Sequence, residues 1–521
     1  MARYLLGRVV RALLSVVIVT AVVMVLIYSC LDRNLIFAND PVFSKFKSNA
    51  QDVYKMQQWE NYGYVDFVPY EEYLTSRNLD EMQYAQASML GDRPQGDSSQ
   101  AAEQVAAFTA EYEAQGYTVV RLTGKRKGNT QTYLDGGKPR LYAYRDVPLG
   151  RRLVNYLTGI FQFDNIHAVK ENVGQRKLEF TWYDPVYGGE KFSPAILGNG
   201  TRHKYLLYFD DRFPYLHQNF VTVNLGHSFS VNKGVDLFET MTGTQGSREM
   251  SWVTYPSGNR EYSADDLHTA TYVAGSYAGG DAVVRRNFVD DYTGVTTRKT
   301  GLSKLGYSFA IGLLAAGLAY ALAVPAAIWM ARRKGRLADK LGTGYIVFIM
   351  AVPSLAYIFL FKALGQAAGL PTTFDMENPT RLMYLLPIIS LALPMAANLM
   401  KWLRRYMIDQ NNAEYVRFAR GSGLSEGHIF RSHVLKNAAI PMIHGIPASI
   451  LGALVGAIIT ERVYVVPGAG NLLTGAINAY DNGAIVGVTL FYALISVASV
   501  ILGDVLISVA DPRISFAHKE E

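Results

Sequence analysis

Long apolar runs that contain few charges constrain this chain more than any other feature. A helix needs about 20 such residues to cross the ~30 Å hydrocarbon core of a bilayer. The chain of 521 residues contains six runs of roughly this kind, which predict an α-helical membrane protein with six transmembrane helices. The predicted spans are Ala12–Leu31, Tyr307–Met330, Gly344–Leu364 (interrupted by Pro353), Leu382–Leu403, Ile446–Thr460 and Ile485–Val509.

The first apolar run has two interpretations, an uncleaved helix or a secretory signal. Arg3, Arg8 and Arg11 precede it, as basic residues precede both kinds of segment. The residues Ile27–Cys30 resemble a lipoprotein cleavage site, but Tyr28 is bulky where such sites require a small residue. The run is also longer than a usual signal core, and more spans follow, so we favour an uncleaved helix.

Lysine and arginine are distributed unevenly among the segments that join the spans. They are frequent in the N-terminus and in residues 331–342 and 404–444, and scarce in residues 365–381 and 461–484. Because basic residues accumulate on the cytoplasmic side of membranes, both termini are predicted to be cytoplasmic. The same rule places residues 32–300 outside the cytoplasm, and it explains the net charge of +6 without a nucleic-acid partner.

The residues between the first two spans are too numerous for a simple loop and too polar for the bilayer. Helical patterns cover Ala50–Asn61, Asp80–Met89 and Ser98–Gln115, and strand patterns cover Val119–Leu122, Leu178–Tyr183 and Tyr205–Phe209. We therefore predict an α/β extracytoplasmic domain, inserted between helices 1 and 2. Cys30 is the only cysteine, so no disulfide within the chain supports this domain.

The chain accordingly divides into three parts. Residues 1–31 form the cytoplasmic N-terminus and the first span, and residues 32–300 form the extracytoplasmic domain. Residues 301–521 contain helices 2–6, joined between the fourth and fifth spans by a cytoplasmic loop, residues 404–444.

This loop carries the pattern of a helix, a turn and a second helix. Tyr415, Phe418 and Ala419 recur at the spacing of one apolar helix face, and Gly421-Ser422-Gly423 is typical of a helix end. Ser425 is suited to cap the next helix. A DNA-binding motif and an interfacial membrane helix remain as alternatives, although a DNA reader held between two spans has poor access to a groove.

The sequence offers no catalytic or metal site. It contains no Gly-x4-Gly-Lys-Ser/Thr phosphate loop, so the chain is predicted not to bind ATP itself. His428 and His433 lie five residues apart rather than at the four-residue spacing of a metal-binding helix. Asp504 is the main ionisable residue deep in a span, and the sequence gives it no evident catalytic partner.

The loop resembles the coupling loop of binding-protein-dependent ABC importers, in the form found in oligopeptide and dipeptide permeases. It departs from that pattern at Phe418, Gly421 and Ser422. A later segment of the type Glu…Pro-Gly-x-Gly-x-Leu, Glu461 to Leu472, and the ending Asp511-Pro512-Arg513 also look like that family. The matching positions of the loop are Tyr415, Val416, Arg417, Ala419, Arg420, Gly423, Leu424 and Ser425.

The resemblance implies a transport subunit and not an enzyme. In that family the loop docks on a separate ATPase subunit, and ATP and Mg are bound by the ATPase partners and not by the permease. It further implies a second permease, two ATPase subunits, an extracellular substrate-binding lipoprotein, an oligopeptide substrate, membrane lipid and a bacterial cell membrane location. The implied coupling residues are Glu414, Tyr415, Val416, Arg417, Ala419, Arg420, Gly421, Gly423, Leu424 and Ser425.

A second function class stays open at the level of the sequence. A membrane-anchored sensor or receptor also has an external ligand-binding domain and a cytoplasmic segment for signalling. Such a sensor does not require a bundle of several spans with a coupling loop, so we favour the importer. The sequence identifies neither the residues that bind the substrate nor the peptide that is carried.

Overall fold

The computed structural model describes most of the chain. The described residues are 2–91, 99–163, 179–183, 195–197, 204–206, 221–231, 234–269, 282–289, 293–376 and 379–510. The predicted Asp511-Pro512-Arg513 match and parts of the predicted strands Leu178–Tyr183 and Tyr205–Phe209 lie outside these residues.

The first helix is followed by a long segment that contains both helices and strands. The helices here are α1 Ala2–Cys30, α2 Ser48–Asn61, α3 Tyr70–Thr75, α4 Glu81–Ala87, α5 Ser99–Ala114, α6 Leu149–Gly159, α7 Leu237–Thr242 and α8 Ala282–Asn287. The strands are β1 Val65–Pro69, β2 Thr118–Leu122, β3 Arg140–Asp146, β4 Phe161–Phe163, β5 Glu179–Thr181, β6 Ala195–Leu197, β7 Lys204–Leu206, β8 Val221–Val223, β9 Ser251–Thr254, β10 Arg260–Ser263, β11 Asp265–Thr269 and β12 Thr293–Thr297.

A three-stranded antiparallel sheet in the order β1-β3-β2 organises the first part of this segment. Successive residues of its central strand point to opposite faces, as the pleat requires. Tyr142 packs with Trp59 of α2 on one face, and Leu141 and Ala143 pack with Phe108 of α5 on the other. The sheet is therefore covered by helices on both sides, and each face has its own apolar core.

The membrane part consists of long apolar helices. The helices of this part are α9 Lys304–Arg332, α10 Leu337–Ala351, α11 Ser354–Ala367, α12 Leu385–Asn411, α13 Glu414–Gly421, α14 Glu426–Ile429, α15 Lys436–His444, α16 Ile446–Tyr464, α17 Ala469–Asn478 and α18 Asn482–Ala510. Among the described residues, the helices long and apolar enough to cross a bilayer are α1, α9, α12, α16 and α18.

The predicted third span, Gly344–Leu364, is not one continuous helix. It is divided between α10 and α11, which meet at an angle of 108°. Proline disfavours helical conformation in the residue before it, and Val352 has the extended dihedrals φ −85° and ψ 131° ahead of Pro353. Five continuous helices are thus long enough to span, and the count rises to six when the bent pair is taken as one span.

Small side chains bring α9 and α12 close together. Ala315, Ala319 and Ala323 lie four residues apart on α9 and are fully buried, and Ala392 and Ala396 are buried on α12. A ridge of small residues lets membrane helices approach each other, so that dispersion forces and close packing hold them. These two helices form the centre of the described bundle.

Asp504 of α18 has a partner that the sequence alone did not indicate. Its carboxylate lies 3.2 Å from the guanidinium of Arg8 on α1, and only 9% of the Asp504 side chain is exposed. Charged groups within apolar helices commonly pair with each other in this way. The ion pair therefore joins α1 to α18.

Candidate functional site

The predicted loop, residues 404–444, begins later in the structure than the charge pattern suggested. Helix α12 continues through Asn411, so residues 404–411 belong to this helix and not to a loop. Met407, one turn beyond Leu403, is fully buried and extends the apolar face of the helix. The part between α12 and α16 is residues 412–444, which we call the 412–444 segment.

The first helix of this segment, α13, buries a different face from the predicted one. The sequence pattern grouped Tyr415, Phe418 and Ala419 on one apolar face, and this grouping is wrong for Phe418, whose exposed fraction is 78%. Val416 and Ala419, three residues apart, are instead the buried positions. The reason is tertiary: the narrow face that meets the bundle accepts only these smaller side chains.

Beneath α13, the 412–444 segment shares one apolar core with the ends of two long helices. Val416 and Ala419 pack there with Ala327 of α9 and with Leu403 and Met407 of α12. The rest of the segment completes this core from the other side. Those residues are Ile429, Val434 and Ala438. Because cores are packed at the density of a crystal, a displacement of the segment displaces the helix ends with it.

A glycine-dependent turn ends α13. Gly423 has a φ of 79°, in the left-handed region that favours glycine. The Leu424 N–H donates to the Ala419 carbonyl at 3.3 Å, and the Gly423 N–H donates to the Arg420 carbonyl at 3.0 Å. These two bonds define a Schellman motif, which satisfies carbonyls that the helix end leaves free. Ser425 then caps α14, accepting a hydrogen bond from the His428 N–H at 3.4 Å.

A bidentate ion pair spans the turn. Arg420 donates to the two carboxylate oxygens of Glu426 at 2.7 and 3.3 Å and to the Asn411 side chain at 2.9 Å. The hydrogen bonds from Arg420 lower the pKa of the Glu426 carboxyl below its ordinary value. The pair therefore contributes stability at neutral pH and loses it only when acidification protonates Glu426. It links the end of α13 to the start of α14.

Tyr415 connects three parts of the segment. Its hydroxyl donates to the Gln410 side chain at the end of α12 and accepts from the Asn437 side chain of α15 at 3.0 Å. Its ring lies 6.4 Å from that of His433. The family pattern indicated Tyr415 but not its hydrogen-bond partners. These partners lie in two different helices, and no local sequence pattern connects them.

The predicted coupling residues thus fall into two groups in the structure. One group is buried or hydrogen-bonded within the segment: Tyr415, Val416, Ala419, Arg420, Gly423 and Ser425. The other group is exposed on its outer surface: Glu414, Arg417, Gly421 and Leu424. Phe418, Glu426 and Asn437 were not among the predicted site residues. No sequence signal indicated the first of them, because the apolar pattern placed Phe418 on the buried face.

A second candidate site is a groove of about 520 Å³ in the membrane part, formed by α11, α12 and α16. Its fourteen lining residues include no Asp, Glu, Lys, Arg or His. Its polar side chains are hydroxyls and one amide, contributed by Ser354, Tyr357, Ser390, Asn398, Ser449 and Thr460. Within the described residues, no group of three or more His, Cys, Asp or Glu is arranged to hold a metal.

Comparison with known proteins places this geometry in context. Residues 323–516 match the family described as "Binding-protein-dependent transport system inner membrane component". The chain is 33% identical over 531 aligned residues to the oligopeptide transport system permease protein AmiC of Streptococcus pneumoniae, which covers all of this chain and 99% of that protein. It is 34% identical to a putative peptide permease of Brucella ovis, over 39% of this chain and 67% of that protein.

Proposed function

The chain belongs to the family of binding-protein-dependent transport inner-membrane components and is a permease subunit of a peptide ABC importer; on this premise, we propose that the 412–444 segment couples it to ATPase subunits. The observation that carries the proposal is the two-sided construction of the segment. Its inner side shares a core with α9 and α12, and its outer side presents Phe418 with 78% of the residue exposed.

Phe418 is the anchor of the proposed contact. A large exposed apolar side chain gains free energy when a partner covers it, and aromatic residues often dominate interface energies. Arg417 beside it is exposed as well and supplies positive charge. In the coupled importer, a groove of the ATPase subunit receives Phe418, and closure of the ATPase subunits on ATP moves the 412–444 segment. That movement reaches α9 and α12 through the shared core.

Copurification of the ATPase subunits with Phe418→Ala tests this contact. Since Phe418 contributes little to the folded core, the variant should keep its membrane level and its thermal stability. We expect the amount of ATPase retained to fall at least about tenfold, because interface anchors contribute roughly 2 kcal/mol or more. Phe161→Ala, which removes a phenylalanine that is 58% exposed in β4, is the matched control and should retain the ATPase subunits. Full retention by Phe418→Ala would contradict the proposal.

We further propose six spans, with α10 and α11 together as the third, and both termini in the cytoplasm. The distribution of lysine and arginine supports this orientation. In a Cys30→Ser background, a membrane-impermeant maleimide added to intact cells should label Glu81→Cys and leave Gly427→Cys unlabelled. Both positions are exposed. Labelling of the second and not of the first would reverse the proposed orientation.

The remaining subunits follow from the family and are part of the same proposal. A second permease completes the translocation pathway, two ATPase subunits bind ATP and Mg, and a substrate-binding lipoprotein delivers the peptide to the external segment, residues 32–300. The relatives are named as peptide permeases, which supports this composition. The sensor alternative is not favoured, because a receptor has no need for a segment that shares its core with two membrane helices.

A further inference from the structure

The groove between α11, α12 and α16 contains polar groups that the fold itself does not use. Thr460 is 1% exposed, and its hydroxyl has no hydrogen-bond partner among the described residues. Two other threonines in the membrane helices satisfy their hydroxyls within their own helix. Thr20 donates to the Val16 carbonyl at 2.9 Å, and Thr489 donates to the Ile485 carbonyl at 2.7 Å. A buried hydroxyl without a partner costs free energy, so Thr460 requires a separate explanation.

Asn398, near the middle of α12, is a second polar side chain of the groove without a hydrogen-bond partner among the described residues. Its side chain is exposed at the groove, and it donates no hydrogen bond to a described residue. An amide facing hydrocarbon would leave its donors and its acceptor unsatisfied. Together with Ser354 at the start of α11, these residues offer both donors and acceptors to whatever occupies the groove.

The groove is elongated and uncharged. Ser449 and Thr460 both line it and lie eleven residues apart on α16, a rise of about 16 Å at ~1.5 Å per residue. An extended chain advances ~3.3 Å per residue, so this length accommodates roughly five residues of peptide. Apolar side chains form the rest of the wall, Ile358, Leu391, Leu399 and Ile459 among them. With no charged group in the lining, the groove has no means to select peptides by the charge of their side chains.

We propose that this groove binds the main chain of an extended peptide of about five residues through Thr460, Asn398 and Ser354, independently of side-chain charge. Every peptide carries amide N–H and carbonyl groups, and each must be satisfied when it leaves water. The inference rests on the proposed function and deepens it by assigning a binding site. A lipid chain, which cannot form hydrogen bonds, would leave the same groups unsatisfied.

The test measures ATP-dependent uptake by the complete importer in proteoliposomes. Three pentapeptides that differ only in side-chain charge, neutral, acidic and basic, are compared in wild type, Thr460→Val and Asn398→Leu. Each substitution keeps the branched shape of the side chain and removes hydrogen-bonding atoms. We expect uptake of all three peptides to fall by about two- to tenfold, as for the loss of one hydrogen bond. Thr460→Ser, which keeps the hydroxyl, and Thr20→Val, which is remote from the groove, should behave as wild type.

A fourth peptide, with N-methylated main-chain amides, identifies the group that is recognised. N-methylation should lower uptake by wild type and should have a smaller further effect in Asn398→Leu, because both changes remove the same interaction. Unaltered uptake by both variants, or a loss confined to one charge class, would overturn the groove assignment alone. Absence of peptide uptake by wild type would overturn the proposed function and this inference with it. Retention of the ATPase subunits by each variant shows that the 412–444 segment is intact.

Discussion

At the level of single residues, Glu461 is a fully buried carboxyl group near the end of α16, and its contacts explain why glycines occupy positions 468 and 470. It accepts hydrogen bonds from the Ser308 hydroxyl at 2.6 Å and from the Asn471 N–H at 3.1 Å, at the start of α17. The N-terminus of a helix attracts negative charge, which offsets part of the cost of removing Glu461 from water. Gly468 and Gly470 leave the space that this carboxylate occupies.

Gly468→Ala tests this arrangement. A Cβ at Gly468 would lie 2.3 Å from the Glu461 carboxylate carbon, which three helices hold in place. We expect the change to lower the free energy of unfolding by about 1–3 kcal/mol, the usual cost of overpacking. The midpoint of thermal unfolding in detergent measures this effect. Gly475→Ala on the same helix has open space around its Cβ and should be neutral or slightly stabilising. Equal midpoints for both variants would contradict the account.

Sequence alone predicts some residue roles and misses others for a physical reason. Gly423 and Ser425 were predictable, because a left-handed turn and a helix cap depend on neighbouring residues only. The exposure of Phe418 and the Tyr415–Asn437 hydrogen bond depend on how distant helices pack. The same holds for Asp504, whose partner Arg8 lies at the other end of the chain.

At the scale of elements, apolar run length predicted the long helices well and their continuity less well. Proline inside α9 and α12 leaves those helices continuous, at Pro325 and Pro394. Pro353 instead separates α10 from α11. Strand pairing was also beyond the sequence, because the order β1-β3-β2 joins residues far apart along the chain.

At the scale of the whole molecule, the segment between α1 and α9 is hydrogen-bonded to the start of α18, the last long helix among the described residues. Asp481, which is fully buried and precedes α18, accepts hydrogen bonds from the hydroxyls of Ser228 and Ser230 at 2.8 Å each. It also accepts from the backbone N–H groups of Phe229 and Ser230, at 2.8 and 2.9 Å. Asn482 donates to the Tyr64 hydroxyl at 2.6 Å. The composition of the chain predicted two regions but gave no indication of this connection.

Asp481→Asn should weaken that connection. All four donors contact the same carboxylate oxygen, Oδ2. An asparagine oxygen in that place accepts the same bonds without the negative charge, and the NH2 group then faces the Ala484 N–H, which Asp481 Oδ1 accepts at 3.1 Å. We expect a loss of at least about 3 kcal/mol, from several charge-assisted hydrogen bonds, with faster limited proteolysis of residues 221–231. Asp80→Asn is the control, because asparagine caps a helix as well as aspartate does, and Asp80 caps α4. Proteolysis at the wild-type rate in Asp481→Asn would show that the contact is not structural.

The most direct test of coupling through the 412–444 segment is ATP-dependent uptake of labelled oligopeptides by cells that carry Gly423→Val or Gly423→Asn, at matched membrane levels. Gly423 has a φ of 79° and open space around its Cβ, so only backbone conformation separates the two variants. Asparagine tolerates this conformation and a β-branched residue does not. The account predicts uptake within about twofold of wild type for Gly423→Asn and at least about a tenfold loss for Gly423→Val. Equal uptake by Gly423→Val and wild type would contradict the claim that this segment transmits the motion of the ATPase subunits.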